Sequence, residues 1–462
     1  MKILHEEARD IPAVEVDVFV AGAGTAGCIA AIAAARAGAS VVLVEKMPVP
    51  GGTYTNGGIG TSSYYAASQD PATAVRIVNG LPWELTKRLE QMHGGTGHIP
   101  VPNDHHFNPY RFVGDHEVFK GVISQMLIEA GVKVYLQTMF CGVKMDGKRI
   151  VAAIIENKDG RSAIMAKQYI DCSGDGDVAR YAGVPQKENW QGYNQVCGGP
   201  TGLVFGMAGV DMDRFVKENP RGAHEQIREE TAYEGIVSRR FMFTPKLEPE
   251  RYQPVVDLDM NYFTTMQSLH EGEMTYINNS KGPYVDASTA DGLSQGEMAM
   301  RIKIMEFCKA FRTCVPGFEK AYLSWASTQL GIRASKVTIC DKTISQEEIS
   351  NAARFDDEIG LYAFHDLSPK KPELLPKTPG FYGFPYRMLL AKGCENLYMA
   401  GRCVTEDIEA HMSTRNTVGC MIMGQGAGVA AALCAKNNYT SRELPYAQLR
   451  QALLDQNVIL DV

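Results

Sequence analysis

The sequence predicts an α/β fold that contains a β-meander and an inserted α+β domain, and three observations indicate it. A strand, a glycine-rich turn, a helix and a second strand follow one another within residues 16–46. Short strands joined by Asp-Gly turns occupy residues 140–171, which is typical of antiparallel hairpins. A last short strand at 396–400 precedes a helix rich in glycine and alanine at 417–435.

The first unit alternates between strand and helix signals. Residues 16–21 are apolar and predict a buried parallel strand. Residues 28–37 are rich in alanine and predict a helix that ends at Gly38. Residues 40–44 predict a second strand, so the segment is a βαβ-type unit at the start of a parallel sheet.

The turn inside this unit is typical of a loop that binds a dinucleotide. Gly22 allows a tight turn, Gly24 lets the backbone approach a pyrophosphate, and Gly27 lets the helix pack closely on the strand. The helix N-terminus then faces the anion. Glu45 ends the second strand, where a carboxylate can accept hydrogen bonds from a ribose.

Further elements follow in order. Residues 81–93 and 117–130 predict helices, and residues 132–136 predict a strand. The meander returns into a strand that ends at Asp171, and a glycine turn at 172–177 opens another helix.

The middle of the chain differs from both ends. Residues 185–331 show mixed periodicity, more aromatic and polar residues and one clear helix at 293–313. We therefore predict a separate substrate or cap domain at 185–331, inserted into a discontinuous domain formed by residues 14–184 and 332–462.

Composition excludes several functional classes. The 462 residues are 45% hydrophobic and 21% charged, as in ordinary globular proteins. The net charge of −7 and the lack of a basic patch argue against a nucleic-acid partner.

The polar N-terminus and the short apolar stretches predict neither a signal peptide nor a membrane span, so we expect a cytoplasmic protein. Eleven scattered cysteines without a C-x-x-C pair predict reduced thiols and no metal site.

Three segments carry a family resemblance: IDCSGDGDVARYAG, VPGFEKAYLSWASTQLGIRASK and GFYGFPYRMLLAKGCENLYMAGRCVTEDIEAHMSTRN. Together with the N-terminal glycine turn, and in the same order, they resemble the flavin-dependent oxidoreductases that have a glutathione-reductase-type FAD fold. The chain looks most like the broad bacterial family of FAD-dependent oxidoreductases related to fumarate reductase flavoproteins. The likeness covers nearly the whole chain and implies FAD as the cofactor.

The resemblance also implies where FAD would lie. The pyrophosphate would meet the first glycine turn, the adenosine ribose would meet Glu45, and the ribityl chain would meet residues 401–407. Asn416, a good helix cap, would begin a helix whose N-terminus stabilises the anionic reduced flavin. The implied contacts are Gly22, Gly24, Thr25, Ala26, Gly27, Glu45, Lys46, Gly52, Thr53, Phe140, Ser173, Gly174, Gly401, Arg402, Asp407, Asn416, Thr417 and Gly419.

Some motifs of the related families are absent from this sequence, and their absence bears on how FAD is attached and where its electrons come from. Residues 51–56 hold no His or Cys, so we expect FAD to be bound non-covalently. The chain has no redox cysteine pair near this loop and no second GxGxxG motif for a nicotinamide. Electrons would therefore come from the substrate, from a partner protein or from NAD(P)H that visits the flavin transiently.

Four residues are candidates for catalysis. By the resemblance, His411 and Arg415 would hold substrate and stabilise charge; the alternative is that they lie away from the substrate. Arg333 and Arg387 are charged residues within apolar segments, so each is either paired structurally or faces a ligand.

A long irregular stretch holds half of the ten histidines, namely His93, His98, His105, His106 and His116. Their spacing matches no standard metal site, and we predict no metal there. A loop over the substrate side is the functional alternative.

The predicted function is that of an FAD-dependent oxidoreductase. It would transfer a hydride between flavin N5 and carbon of a small polar organic substrate, by reducing a C=C bond or by oxidising an alcohol or C–C bond. The alternative is a flavoprotein subunit of an electron-transfer complex. The sequence leaves open NAD(P)H, an electron-transfer protein and a second copy of the chain as partners.

Overall fold

A computed structural model describes residues 3–5, 9–62, 66–67, 71–100, 109–197, 201–231, 237–259, 264–279, 281–366 and 371–462. The strands are β1 (Ala13–Ala21), β2 (Val41–Val44), β3 (Thr61–Ser62), β4 (Ala66–Ala67), β5 (Val75–Arg76), β6 (Ile99–Pro100), β7 (Tyr110–Val113), β8 (Lys133–Tyr135), β9 (Met139–Asp146), β10 (Arg149–Asn157), β11 (Gly160–Asp171), β12 (Gln186–Glu188), β13 (Thr201–Ala208), β14 (Ala223–Glu230), β15 (Val237–Phe243), β16 (Thr264–Ser268), β17 (Glu273–Asn279), β18 (Tyr322–Ala326), β19 (Gly331–Ile332), β20 (Lys336–Thr338), β21 (Glu358–Tyr362), β22 (Tyr382–Pro385) and β23 (Leu397–Met399). The α-helices are α1 (Thr25–Arg36), α2 (Leu81–Gln91), α3 (His116–Glu129), α4 (Asp177–Tyr181), α5 (Trp190–Cys197), α6 (Met212–Glu218), α7 (Pro249–Val256), α8 (Ala290–Cys314), α9 (Gln346–Ser350), α10 (Ile408–Thr414), α11 (Thr417–Asn437) and α12 (Tyr446–Asp455).

The main sheet is mixed, with a parallel part and an antiparallel part. Its order is β8-β2-β1-β11-β10-β9, and β23 pairs with the C-terminal half of β11. The strands β8, β2, β1, β11 and β23 run parallel, whereas β9, β10 and β11 form an antiparallel meander. The predicted α/β class with a parallel sheet and a meander is therefore confirmed.

Four parallel strands of this sheet end at the same level. Ala21, the last residue of β1, pairs with Val44 of β2 and with Asp171 of β11, and Asp171 pairs with Met399 of β23. The carboxyl ends of parallel strands share one edge of a sheet. The four segments that follow these strands are thereby brought together, although they are far apart in the chain.

Helices α1 and α11 pack against each other through small residues. A Cβ atom at Gly424 would lie 2.3 Å from the backbone oxygen of Ala26, and one at Gly428 would lie 2.2 Å from that of Ala30. Both contacts advance by four residues in the same direction, so the helices are parallel and their N-termini lie at the same end. The glycines of α11 therefore permit an approach that no larger residue would allow.

Helix α11 is long and apolar enough to cross a membrane, but it is a core helix here. Of its most apolar window of 18 residues, 94% are buried inside the protein. Such a helix is typical of the interior of a large α/β protein.

A second sheet occupies the middle of the chain. Its order is β14-β15-β16-β17-β13-β18, with every pair antiparallel, and β19 pairs with β13. One face of this sheet packs on α8, and a second hydrophobic cluster separate from the main one fills the space between them. Apart from Ile332 at the end of β19, this sheet lies within the segment 185–331, and the division into domains stays a prediction.

Candidate functional site

A cavity of about 1340 Å³ lies between the carboxyl edge of the main sheet and the second sheet. Gly22, Glu45, Ser173 and Gly401 line it, each just after one of the four parallel strands that end together. Residues of the second sheet line the opposite wall. Ligand sites of open α/β sheets lie at this edge, so the cavity is the candidate site.

Most of the predicted cofactor contacts come together in this cavity. Those that line it are Gly22, Gly24, Thr25, Ala26, Glu45, Lys46, Gly52, Thr53, Phe140, Ser173, Gly174, Gly401, Arg402, Asn416 and Thr417. Their individual roles stay predictions.

Three predicted contacts do not line the cavity. A Cβ atom at Gly27 would lie 1.8 Å from the backbone oxygen of Gly22, and one at Gly419 would lie 2.6 Å from that of Thr414. Asp407 caps α10, and its Oδ1 accepts hydrogen bonds from the backbone nitrogens of Glu409 and Ala410. In this structure all three residues support the backbone around the cavity.

Gly24 differs from Gly22 and Gly27 because a side chain at this position would extend into the cavity. Apart from its two chain neighbours, no described residue has an atom within 4 Å of a Cβ atom placed there, and its φ of −71° is open to any residue. Gly52, with φ of +53°, brings the following loop so close that its own Cβ would lie 2.6 Å from the Gly24 Cα. The two glycine loops thus form a cradle that fits an extended phosphate chain.

Glu45 ties this cradle to the end of β2. Its Oε2 accepts a hydrogen bond of 2.6 Å from the backbone nitrogen of Ala23, and its Oε1 accepts one of 2.9 Å from Met47. Burial raises the pKa of Glu45, and these backbone donors oppose that rise. Each carboxylate oxygen keeps a second lone pair, so the predicted contact with a ribose hydroxyl fits this arrangement.

Two helices present uncapped N-termini at the cavity. Neither Gly24 at α1 nor Asn416 at α11 makes a side-chain cap. The prediction that Asn416 caps α11 is wrong, because its Nδ2 donates instead to the backbone oxygens of Met412 and Ser413 in α10. The first backbone N–H groups of α11 are left for a ligand, which favours an anion there.

Arg402 lies along the turn that follows β11. Its Nη2 is 2.7 Å from Asp175 Oδ1, and the Ser335 hydroxyl donates to the same oxygen. Burial acts to raise the pKa of Asp175, but Arg402 and Ser335 outweigh it and hold that pKa below its ordinary value. Among the described residues, none accepts a hydrogen bond from the buried Arg402 Nε, which leaves a donor at the cavity wall.

His411 lies beneath the cavity wall. Its Nε2 donates to the backbone oxygen of Arg402 at 2.7 Å, and its buried Nδ1 has no partner among the described residues. Burial lowers the pKa of His411 to about 3, so the ring is neutral at neutral pH. This position favours the alternative that His411 acts away from the substrate, as a residue that positions Arg402.

Replacing His411 is expected to flatten the dependence of stability on pH. The unfolded ring binds a proton near pH 6.5 and the folded ring only near pH 3, so stability is lost as the pH falls through this window. A His411→Gln variant removes one contribution, at most about 1.4 kcal/mol per pH unit. Urea unfolding at several pH values measures it, with His224→Gln at an exposed position as control. Equal slopes for wild type and His411→Gln would contradict the expectation.

The three arginine candidates have different positions. Arg415 lines the cavity, pairs with Asp366 and donates from Nε to the Tyr193 hydroxyl. Arg333 lines the same cavity. Arg387 does not: its side chain is 55% exposed and pairs with Asp357 at 2.9 Å. For Arg387 the structure favours structural pairing over contact with a ligand.

Sequence reasoning missed the polar wall that the second sheet contributes. Arg240 of β15, Gln267 of β16 and Asn278 of β17 line the cavity, as does Arg111 of β7. One signal was available in the segment SRRFMF. A strand sends alternate side chains to opposite faces, so its two adjacent arginines cannot both share the face of Phe241 and Phe243.

The histidine-rich stretch is described only in part, because His105 and His106 lie outside the described residues. His98 stacks on Trp83 at 4.4 Å, and His116 packs against Trp325 at 4.1 Å. Within the described residues, no group of three or more His, Cys, Asp or Glu could hold a metal ion. The predicted role of this stretch as a loop over the substrate stays a prediction.

Comparisons with known proteins agree with the cofactor implied by the sequence. A model of the family described as FAD dependent oxidoreductase matches residues 17–453. No curated protein matches the chain. The structure is similar to a geranylgeranyl bacteriochlorophyll reductase-like protein from Thermoplasma acidophilum, at 12% identity over 97% of this chain and 85% of that chain, with a TM-score of 0.47. It is also similar to a p-nitrophenol 4-monooxygenase from Pseudomonas putida, at 10% identity over 96% and 84%, with a TM-score of 0.45.

Proposed function

The chain belongs to the FAD-dependent oxidoreductase family, and we propose that it transfers a hydride between FAD and carbon of a small polar organic molecule. The proposed reaction is reduction of a C=C bond or oxidation of an alcohol or C–C bond, in a fold of the glutathione-reductase type. One observation carries the proposal. A single cavity joins the glycine cradle at Gly24 to a polar wall that includes Gln267 and Asn278.

The residues present fit FAD. The cradle of Gly24 and Gly52 leaves room for a pyrophosphate, and Glu45 has lone pairs for a ribose. The uncapped N-terminus of α11 suits the pyrimidine edge of a flavin ring, where negative charge develops on reduction. When bound, the flavin supplies two-electron exchange with carbon at its N5 atom.

Arg415 is the residue best placed to orient a substrate. It lies at the end of α10, directly before the uncapped N-terminus of α11. Its Nη2 pairs with Asp366 and its Nε donates to the Tyr193 hydroxyl, and both contacts restrain the guanidinium at the cavity wall. A guanidinium fixed in this way can bind an oxygen of the substrate beside the flavin edge.

The test is an anaerobic flavin spectrum of the purified holoprotein without any partner protein. We expect at least one compound from a panel of alcohols, saturated acids and sugars to bleach the flavin band, or one unsaturated acid or ketone to restore it after reduction. NADH and NADPH are added separately to identify a nicotinamide donor. Flavin that responds only to protein electron carriers would overturn the proposal and favour a subunit of an electron-transfer complex.

We also expect all of the FAD to be released when the protein is denatured in acid. In the described part of the chain, the cavity is lined by the thiols of Cys172 and Cys420 and by no histidine. Burial raises the pKa of both thiols, that of Cys420 to about 12, so neither is a thiolate that could attack the flavin. Acid precipitation followed by absorbance of pellet and supernatant measures the release. Yellow colour in the washed pellet would show a covalent bond.

A further inference from the structure

The cavity wall contains a buried arginine that forms no ion pair with any residue the structure describes. Arg240 is only 5% exposed, and it lines the cavity. No described residue forms an ion pair or hydrogen bond with its guanidinium, and its Nε is fully buried without a partner. A buried, unpaired guanidinium destabilises a folded protein. Its presence at a cavity wall therefore points to a ligand that pairs with it.

The position of Arg240 on its strand directs it toward the substrate side. Phe241 and Phe243 face the hydrophobic cluster under α8, and Arg240 alternates to the opposite face of β15. Its partner across the neighbouring strand is Gln267, which lines the same cavity. The predicted FAD contacts come from the other wall, so this face is available for a substrate.

The adjacent residue of the same strand, Arg239, is an arginine with a structural role. Arg239 is also buried, but its guanidinium binds Glu225 at 2.7 Å and Asp213 at 2.8 Å. The two neighbours have the same charge and similar burial and differ in their partners. Burial alone therefore does not explain Arg240.

The cavity as a whole favours a negatively charged occupant. Its described lining holds eight Lys or Arg residues and five Asp or Glu residues, in a chain whose net charge is −7. Arg402 and Arg415 are each paired with a carboxylate of the protein, whereas Arg240 has no such pair within the described part of the chain. A guanidinium fork matches a carboxylate through two parallel hydrogen bonds.

We propose that Arg240 binds a carboxylate group of the substrate, which makes the substrate an organic acid. This inference rests on the proposed function, since it names the substrate class of the same cavity. Arg240 would hold the carboxylate, Gln267 would offer its amide to the same ligand, and the rest of the molecule would extend toward the flavin.

The test compares Arg240→Met with the matched control Arg239→Met, both as FAD-loaded holoproteins. Benzoate and succinate are titrated against their neutral amides and against inorganic phosphate, and binding is followed by perturbation of the flavin spectrum. We expect wild type to bind a carboxylate more tightly than its amide or phosphate. Arg240→Met should weaken that binding by about 30-fold or more, because a charge-assisted pair is lost. Arg239→Met should leave it unchanged.

Thermal unfolding without ligand is a second measurement, and it distinguishes a ligand-binding role of Arg240 from a structural role. Arg240→Met should keep its FAD and have a Tm equal to or above that of wild type, because an unpaired buried charge is removed. Arg239→Met should have a lower Tm, because Glu225 and Asp213 lose their partner. A lower Tm for Arg240→Met, its loss of FAD, tighter binding of phosphate, or no carboxylate binding by wild type would each overturn the inference.

The two proposals fail in different ways. If carboxylates bind through Arg240 but no compound changes the redox state of the flavin, the inference stands and the proposed hydride transfer fails. If neutral compounds react with the flavin and Arg240→Met reacts equally well, the proposed function stands and the inference fails.

Discussion

A Gly24→Val variant is expected to fold and to lose FAD. Beyond the two neighbouring residues, nothing in the described structure lies within 4 Å of a Cβ atom at this position, and the backbone at φ −71° and ψ −173° accepts any residue. The valine side chain would therefore extend into the cavity, where the pyrophosphate is expected. A clash of this size costs about 1–3 kcal/mol or more, which corresponds to binding weakened by about 100-fold at the upper end.

The flavin-to-protein absorbance ratio and the Tm of the apoprotein measure the two effects separately. Gly121→Val is the matched control, because a Cβ atom at Gly121 would meet no described residue within 4 Å apart from its own helix α3, and the residue is exposed. The control should retain wild-type FAD. Full FAD occupancy in Gly24→Val would show that the cofactor runs elsewhere in the cavity.

The second large effect concerns the contact between α1 and α11. Gly428→Ala is expected to lower the free energy of unfolding by about 3 kcal/mol, the upper range for overpacking, because its Cβ would lie 2.2 Å from the backbone oxygen of Ala30. The two helices would have to separate along their length. Urea unfolding monitored by far-UV circular dichroism measures the change.

The same substitution in an uncrowded helix should have the opposite sign. Gly121→Ala replaces a glycine inside α3 that has free space, so it is expected to stabilise the protein by about 0.5–1 kcal/mol through helix propensity. If Gly428→Ala behaved like Gly121→Ala, the close contact between α1 and α11 would not exist in solution.

The parts of the fold that follow from local physics were predictable. The strand ending at Ala21, the helix after Gly24 and the meander each have a pattern that one segment carries by itself. The glycine-rich helix α11 was also predictable, because its small residues demand a close neighbour.

The parts that depend on pairing between distant segments were not predictable. Asn416 is a residue type that commonly caps helices. Its side-chain amide instead donates hydrogen bonds to backbone oxygens of α10, the helix that ends just before it. Arg240 and Gln267 are neighbours only because β15 and β16 pair in this register. No local sequence pattern predicts which face of an inserted sheet lines a cavity. The sequence motifs therefore predicted the cavity wall at the edge of the main sheet. The wall formed by the second sheet depends on strand register, which these motifs do not encode.

The parallel contact between α1 and α11 has a consequence for biosynthesis. The helix that begins at Thr25 is made early on the ribosome, whereas the helix that begins at Thr417 is made about 390 residues later. Synthesis at about 5–20 residues per second separates the two events by roughly 20–80 seconds. Through this interval the nascent chain carries the glycine turn without the helix that lines the other end of the same cavity. We therefore expect FAD to bind only after α11 has been translated, and until then the small-residue face of α1 lacks the helix that covers it in the folded protein.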